Sequence, residues 1–167
     1  MVAVLCLAAL CHAQEEVEVA PVKGGVVLIV SAQKSYQLMP GETKLPSFMV
    51  ECLHKGKHGA GSHLVLFSPG GAVANDSGAL GAQSEHAFVM TVNGKKRATA
   101  WVSYGDTDTF AYAAKSDEER MQFLQSLLGS TVSIQFKPFL TGTPTTATFD
   151  LTKMRDALEH QSECSGQ

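Results

Sequence analysis

Three histidines lie within ten residues of one another in the segment HKGKHGAGSH: His54, His58 and His63. Neutral imidazoles are common ligands of zinc and copper, and a hairpin at this point would bring the three rings together. Glu51, just upstream, is a candidate fourth ligand. Lys55 and Lys57 lie among the histidines, and their charges would oppose a bound cation. The segment therefore predicts either a metal site or a solvated, basic hairpin loop.

Two carboxylates, Asp106 and Asp108, form a second candidate cation site in the segment YGDTDTF. Ca²⁺ takes about six to eight oxygen ligands, and this segment offers few others, so turn-forming aspartates are the favoured interpretation. The sequence contains no Gly-x-Ser-x-Gly elbow, phosphate-cradling loop or His-Glu-x-x-His motif. Because no activated nucleophile can be named, the chain is predicted not to be an enzyme and to use no cofactor, and a secreted hydrolase is the least favoured class.

The net charge and the aromatic residues limit the classes of partner that the chain is expected to bind. The formal net charge is −3, and no basic stripe with interleaved aromatic residues is present, so nucleic-acid binding is not predicted. Trp101 is the single tryptophan, and it suits either a partner-binding patch or, as favoured here, a core anchor on a strand. The expected partner is an envelope or secreted protein, whose binding residues the sequence does not identify.

The first thirteen residues are typical of a secretory signal peptide. They form an apolar run that ends in small residues and is too short to cross a bilayer of about 30 Å. A lipoprotein signal at Cys6 or Cys11 is the alternative, but Leu5 and Leu10 stand where such a signal requires a small residue. The expected location is periplasmic or secreted, with no stable membrane insertion after cleavage. The predicted division is a signal peptide at 1–13, a flexible acidic segment at 14–24 and a single α+β domain at 25–167.

Removal of the signal peptide would leave two cysteines, Cys52 and Cys164. Two thiols in an oxidising compartment are expected to form a disulfide, the alternative being two unpaired buried thiols. In the loop-entropy model a bridge over so long a loop stabilises the fold by about 4 kcal/mol.

The pattern of apolar residues and turn signals predicts mostly strands. Asn93-Gly94 is the firmest hairpin signal, since both residues tolerate the positive φ of a type I′ turn. The Gly-rich stretch at 70–84 has no apolar period and predicts a mobile surface loop. Strands are predicted at residues 26–31, 47–53, 63–67, 87–92, 96–104, 110–113, 131–136 and 145–149.

Two helices are predicted late in the chain. Ser116 and Glu119 have the spacing of a capping box, and Gly129 ends the helix. The second helix is expected to start at a cap on Asp150 or Thr152 and to run to about His160. The inward-facing residues are expected to be Met121, Leu124, Leu127 and Leu128 in the first, and Leu151, Met154, Ala157 and Leu158 in the second. The predicted class is therefore α+β, a largely antiparallel β-sheet with two amphipathic helices and the C-terminal helix tied back by the disulfide.

The C-terminal half also carries a family resemblance. The residues concerned are AWVS at 100–103, Phe123 with Leu127-Leu128, VSI at 132–134, TATFDL at 146–151, Ala157-Leu158 and Cys164, together with VEC at 50–52. In these residues the chain resembles the VasI/TagO-type accessory proteins of bacterial type VI secretion. The resemblance implies a signal peptide followed by one small mixed domain, in which a cysteine on an early strand pairs with a C-terminal cysteine.

The function expected from these observations is an exported, non-enzymatic binding or accessory domain of the bacterial cell envelope, with association to a secretion system as its most specific form. The alternative is a periplasmic metal-binding protein that uses the loop carrying His54, His58 and His63.

Overall fold

A computed structural model describes residues 17–54, 62–74, 88–105 and 108–165. The predicted signal peptide lies outside these residues. The described strands are β1 (Glu18–Val22), β2 (Gly25–Ser31), β3 (Tyr36–Met39), β4 (Glu42–Lys44), β5 (Ser47–Leu53), β6 (Ser62–Ser68), β7 (Val89–Val92), β8 (Lys95–Arg97), β9 (Trp101–Ser103), β10 (Phe110–Tyr112), β11 (Thr131–Phe136) and β12 (Thr145–Asp150). The described helices are α1 (Asp117–Leu127), α2 (Met154–His160) and α3 (Ser162–Ser165).

A six-stranded antiparallel sheet, in the order β1-β2-β5-β6-β10-β9, forms the larger layer. Its central strand β5 alternates as predicted, with Phe48, Val50 and Cys52 buried. Directly paired residues share a face, so β2 and β6 extend this inner face on either side. The alternation of apolar residues therefore fixes which side of the sheet faces the core.

A four-stranded antiparallel sheet, in the order β12-β11-β7-β8, forms the second layer. The predicted Asn93-Gly94 hairpin joins β7 to β8, with φ of 48° at Asn93 and 77° at Gly94. Val132, Ile134 and Phe136 alternate inward on β11 and are buried. This sheet contributes a second apolar face to the same core cluster.

Aromatic rings join the two sheets. The Phe67 ring of β6 lies 5.6 Å from Phe136 and 6.1 Å from Phe149, both on the smaller sheet. Trp101 is fully buried, and its ring lies 6.2 Å from those of Phe67 and Phe88. Trp101 is therefore a core anchor, the favoured interpretation of its sequence position.

The predicted strand at 96–104 is wrong as a single element. Its first part is β8 in the smaller sheet, and its last part is β9 at the edge of the larger sheet. Ala98-Thr99-Ala100 carries the chain from one sheet to the other, and the Thr99 hydroxyl accepts a hydrogen bond from the Trp101 indole at 3.0 Å. The small side chains permit this change of direction, and Trp101 then enters the core between the sheets.

The predicted flexible segment at 14–24 is wrong for residues 18–22, which form the edge strand β1. Val19 and Val22 favour a strand, and β1 pairs with β2 along its whole length through the turn at Lys23-Gly24. Pro21 has no N–H to give to a ladder, so this residue suits an edge position.

Part of the predicted loop at 70–84 is held in place by contacts with another segment of the chain. Val73 is buried and forms a β-bridge with Pro138, and the Ala74 amide donates to the carbonyl of Lys137 at 2.8 Å. Residues 72–74 are thus held by the segment after β11, because a buried valine gives this stretch an apolar anchor. Residues 75–84 lie outside the described part of the chain.

The helices pack on the inner face of the larger sheet. The Ser116 hydroxyl accepts from the Glu119 amide at 3.1 Å, the Glu119 carboxylate accepts from the Lys115 amide at 2.7 Å, and Gly129 follows α1 with φ of 81°. Phe123 of α1 is buried and stacks on Tyr112, with 3.7 Å between ring centroids. The Ser116 cap and the glycine stop are confirmed, and Glu119 reaches back as predicted, although to the amide before the N-cap residue and not to that of Ser116 itself.

The predicted cap of the second helix is wrong. The helix begins at Met154, and its N-cap residue Lys153 makes no side-chain capping bond. The Asp150 carboxylate instead accepts from the Thr152 amide at 2.9 Å, which forms a turn before the helix. Leu151 and Met154 are fully buried as expected, whereas Ala157 and Leu158 are partly buried.

A disulfide joins Cys52 of β5 to Cys164 of α3, with 5.1 Å between the Cα atoms. The predicted pairing and the predicted fold class are confirmed: the described chain is mostly antiparallel sheet, and the bridge ties the C-terminal helix back. Among the described residues, no helix has the length and apolar character needed to cross a bilayer.

We expect Gly25→Ala to destabilise the fold. A Cβ at Gly25 would lie 1.9 Å from the Cys52 carbonyl oxygen, so the backbone of β2 or β5 must shift, at a cost near the upper end of about 1–3 kcal/mol. Gly71→Ala is the matched control, because its Cβ would meet only Tyr36 Oη at 3.6 Å and Leu38 Cδ2 at 3.7 Å. Urea unfolding of both variants tests this, and equal midpoints would contradict it.

We expect the double variant Cys52→Ala/Cys164→Ala to lose about 4 kcal/mol of unfolding free energy, because the bridge closes a separation of 112 residues. Urea unfolding with and without a thiol reductant measures the effect. Reduced wild type should unfold at a lower urea concentration than oxidised wild type, and reductant should not shift the midpoint of the double variant. Equal midpoints for oxidised and reduced wild type would refute the expectation.

Candidate functional site

An open groove of about 590 Å³ lies between α1 and the C-terminal helices. One wall comes from α1, the other from α2, and β6 and α3 complete it. The groove is lined by His63, Met121, Leu124, Gln125, Leu128, Arg155, Leu158, Glu159 and Cys164. Since Cys164 is half of the disulfide, the bridge lies at this site.

Apolar residues of two helices line the groove. Met121, Leu124 and Leu128 recur at helical spacing along one face of α1 and the residue after it, so they line the same wall. Leu158 of α2 belongs to the other wall. Leu124 is buried, whereas Met121, Leu128 and Leu158 are only partly buried. The two apolar stripes therefore do not cover each other completely, and they leave an apolar surface open to a ligand.

His63 is held by the C-terminal tail. Its Nε2 lies 2.9 Å from the Cys164 carbonyl oxygen, and because a carbonyl can only accept, Nε2 carries the proton and donates it. In the neutral ring Nδ1 then carries the lone pair. The backbone pairing of His63 with Cys52 places both residues on the inner face of the sheet.

Two charged side chains, Arg155 and Glu159, border the groove. They are exposed and lie one helical turn apart on α2. Within the described part of the chain neither forms an ion pair, since the pairs there are Lys44 with Glu42 and Arg120 with Asp117. The groove thus combines apolar side chains with one cation and one anion, neither of which has an ion-pair partner among the described residues.

The structure describes two of the three predicted metal ligands, His54 and His63. His54 is exposed after β5, and it helps to lower the pKa of Glu163, after the larger effects of that residue's own amide and the Ser162 hydroxyl. His63 is half-buried in the groove, and His58 lies outside the described residues. Among the residues that the structure describes, no three His, Cys, Asp or Glu side chains lie close enough to hold a metal ion. The metal site stays a prediction.

Glu51 is not a ligand partner for His63. Glu51 pairs with Leu64 and the next residue, Cys52, pairs with His63, so Glu51 and His63 lie on opposite faces of the sheet. The Glu51 carboxylate instead accepts a hydrogen bond from the Tyr104 hydroxyl at 2.8 Å. The prediction of Glu51 as a fourth ligand is therefore wrong for any site that contains His63.

The predicted pairing of Asp106 with Asp108 is not tested, because Asp106 lies outside the described residues. Asp108 is exposed, and its backbone carbonyl accepts from the Ser68 hydroxyl at 3.3 Å.

A smaller concavity, of about 330 Å³, lies on the outer face of the four-stranded sheet and is lined by Val89, Thr91, Lys96, Ser133, Gln135 and Thr146. It is smaller than the groove, and Val89 is the single apolar residue in its lining, so we take the groove as the candidate site.

Sequence reasoning missed the groove. Both helical stripes were visible, but a stripe alone does not show whether its partner covers it fully. The sequence feature that could have indicated the groove is the pair Arg155 and Glu159. These opposite charges lie one turn apart, at the border of the apolar face of an amphipathic helix.

Comparisons of this chain with protein-family models, with curated proteins and with solved structures returned no match. The resemblance to VasI/TagO-type proteins therefore stays a prediction from sequence.

We expect Glu51→Gln to lower the pKa of Tyr104. Burial, and then the hydrogen bond and charge of Glu51, raise that pKa above the ordinary value of 10.0. A raised pKa means that the folded protein holds the proton more tightly than the unfolded chain does. The stability gained is complete below pH 10 and is lost as the pH rises through the folded-state value.

Tyrosinate absorbance against pH measures this change, with Tyr104→Phe assigning the signal and Glu159→Gln as the control for loss of a carboxylate elsewhere. The two glutamate variants should differ in the Tyr104 transition alone. Identical titration curves for Glu51→Gln and Glu159→Gln would contradict the assignment.

Proposed function

We propose that this chain is an exported binding domain and that the groove between α1 and the C-terminal helices is its binding site. The observation that carries the proposal is the groove itself, with its apolar interior, its charged border and its position at the disulfide. Ligand sites are typically concave and mostly apolar with a few polar groups, and they range from about 300 to 1,000 Å³. The volume of about 590 Å³ lies within that range.

A binding role fits the chemistry of the groove better than catalysis does. Its imidazole, His63, donates to a backbone carbonyl, and the groove lining contains no serine or threonine and no cysteine outside the disulfide. Covalent catalysis requires an activated nucleophile next to a base, and such a pair is not found in this lining. We therefore propose a non-enzymatic function.

The disulfide is compatible with an oxidising location outside the cytoplasm. Together with the predicted signal peptide, it supports a periplasmic or secreted protein. The likeness to VasI/TagO-type proteins favours an accessory role in the bacterial envelope, with association to a secretion system as its most specific form. In this proposal the partner or ligand is a component of the envelope or of the secreted fraction.

Binding of octyl glucoside monomers tests the groove without involving a charge. We expect saturable binding, with amide chemical-shift changes on α1 and α2. Gln125→Trp should block it, because residue 125 lines the groove and is exposed, so that the indole fills the site without entering the core.

Gln122→Trp is the matched control, since residue 122 is exposed on the same helix but does not line the groove. It should bind the glucoside like wild type. The proposal is refuted if wild type shows no saturable binding, or if the two tryptophan variants bind equally well.

A further inference from the structure

We propose that the natural ligand of the groove is a single-chain amphiphile with a carboxylate head, bound with its alkyl chain along α1 and its head at Arg155. This inference rests on the proposed function, because it names the ligand class of that same site.

The apolar lining suits an alkyl chain. Met121 and Leu128 are seven residues apart, so the wall that they share with Leu124 extends for about 10 Å along the helix. Leu158 faces this wall from α2. An unbranched chain of eight to ten carbons matches that length, and burying it releases water from Met121, Leu128 and Leu158, which are otherwise incompletely covered.

Arg155 determines the preferred head group. Its guanidinium presents a planar fork of donors that matches a carboxylate through two parallel hydrogen bonds. Arg155 lies in the first turn of α2, the end of a helix at which a cation gains nothing from the helix dipole. It is also outside the ion pairs found among the described residues, so its charge is available to a ligand.

Glu159 determines the direction in which ligand affinity should change when a charge is removed. Its carboxylate lies one turn from Arg155 and opposes an anionic head group, so removing its charge should strengthen the binding of a carboxylate. A ligand with a cationic head would show the reverse response at both residues. The two side chains thus act in opposite directions, and the direction of each change identifies the charge of the ligand.

The walls of the groove favour a lipid-like ligand over an extended peptide. Both walls are helices, and helices present side chains rather than the open strand edge to which an extended peptide adds. The polar groups that the lining offers are the side-chain heads of His63, Gln125, Arg155 and Glu159. The backbone of an extended peptide would bring amides and carbonyls into the groove with few partners, and this burial is costly.

Calorimetric titration of the folded, oxidised protein at neutral pH and low salt tests the proposal with four probes. Three are amphiphiles below their micelle concentrations, namely decanoate, decyltrimethylammonium and octyl glucoside, and the fourth is the peptide trileucine. Decanoate should bind most tightly. Arg155→Gln should weaken decanoate about tenfold without changing octyl glucoside binding, and Glu159→Gln should strengthen decanoate and weaken decyltrimethylammonium.

Lys153→Gln is the matched control, because it removes an exposed cation two residues from Arg155 that does not line the groove. It should leave decanoate affinity unchanged. The ligand class is overturned if decyltrimethylammonium binds as tightly as decanoate, if Arg155→Gln and Lys153→Gln have the same effect, or if trileucine binds more tightly than decanoate. Octyl glucoside separates the two proposals: binding of the glucoside without a carboxylate preference removes this inference alone, and the absence of saturable glucoside binding removes the proposed function as well.

Discussion

The covalent link between Cys52 and Cys164 is the constraint on which the rest of this structure depends. It holds α3 against the inner face of the larger sheet, and the carbonyl of Cys164 then fixes the ring of His63. Because α2 and α3 are short, with seven and four residues, neither would be stable alone. The second wall of the groove therefore owes its position to the bridge and to the two buried residues Leu151 and Met154.

The parts of the fold that the sequence predicted are those decided by local chemistry. The alternation along β5, the Asn93-Gly94 hairpin and the Ser116 cap of α1 each depend on neighbouring residues, and all three are present. The division of residues 96–104 between two sheets depends on distant partners, since β8 pairs with β7 and β9 with β10. A strand-like pattern specifies a strand but does not specify which sheet it joins.

The candidate site was harder to predict for the same reason. The disulfide followed from counting the cysteines that remain after the predicted signal peptide. The relation between Glu51 and His63 depends on register, because one residue of offset moves a side chain to the other face of a sheet. The groove exists because two amphipathic helices do not cover each other's apolar faces completely. This depends on where the helices lie, and the identities of Met121, Leu124 and Leu158 do not determine it.

Pro21 on the outermost strand of the larger sheet has a bearing on solubility. An uncapped strand edge is a template on which other polypeptides can polymerise, and proteins commonly interrupt such edges with proline or charge. Within β1, Pro21 removes one donor from that template, and Glu18 adds a charge at the same edge. Growth of intermolecular sheets from this side of the molecule is thereby discouraged, which helps the folded chain to stay dispersed.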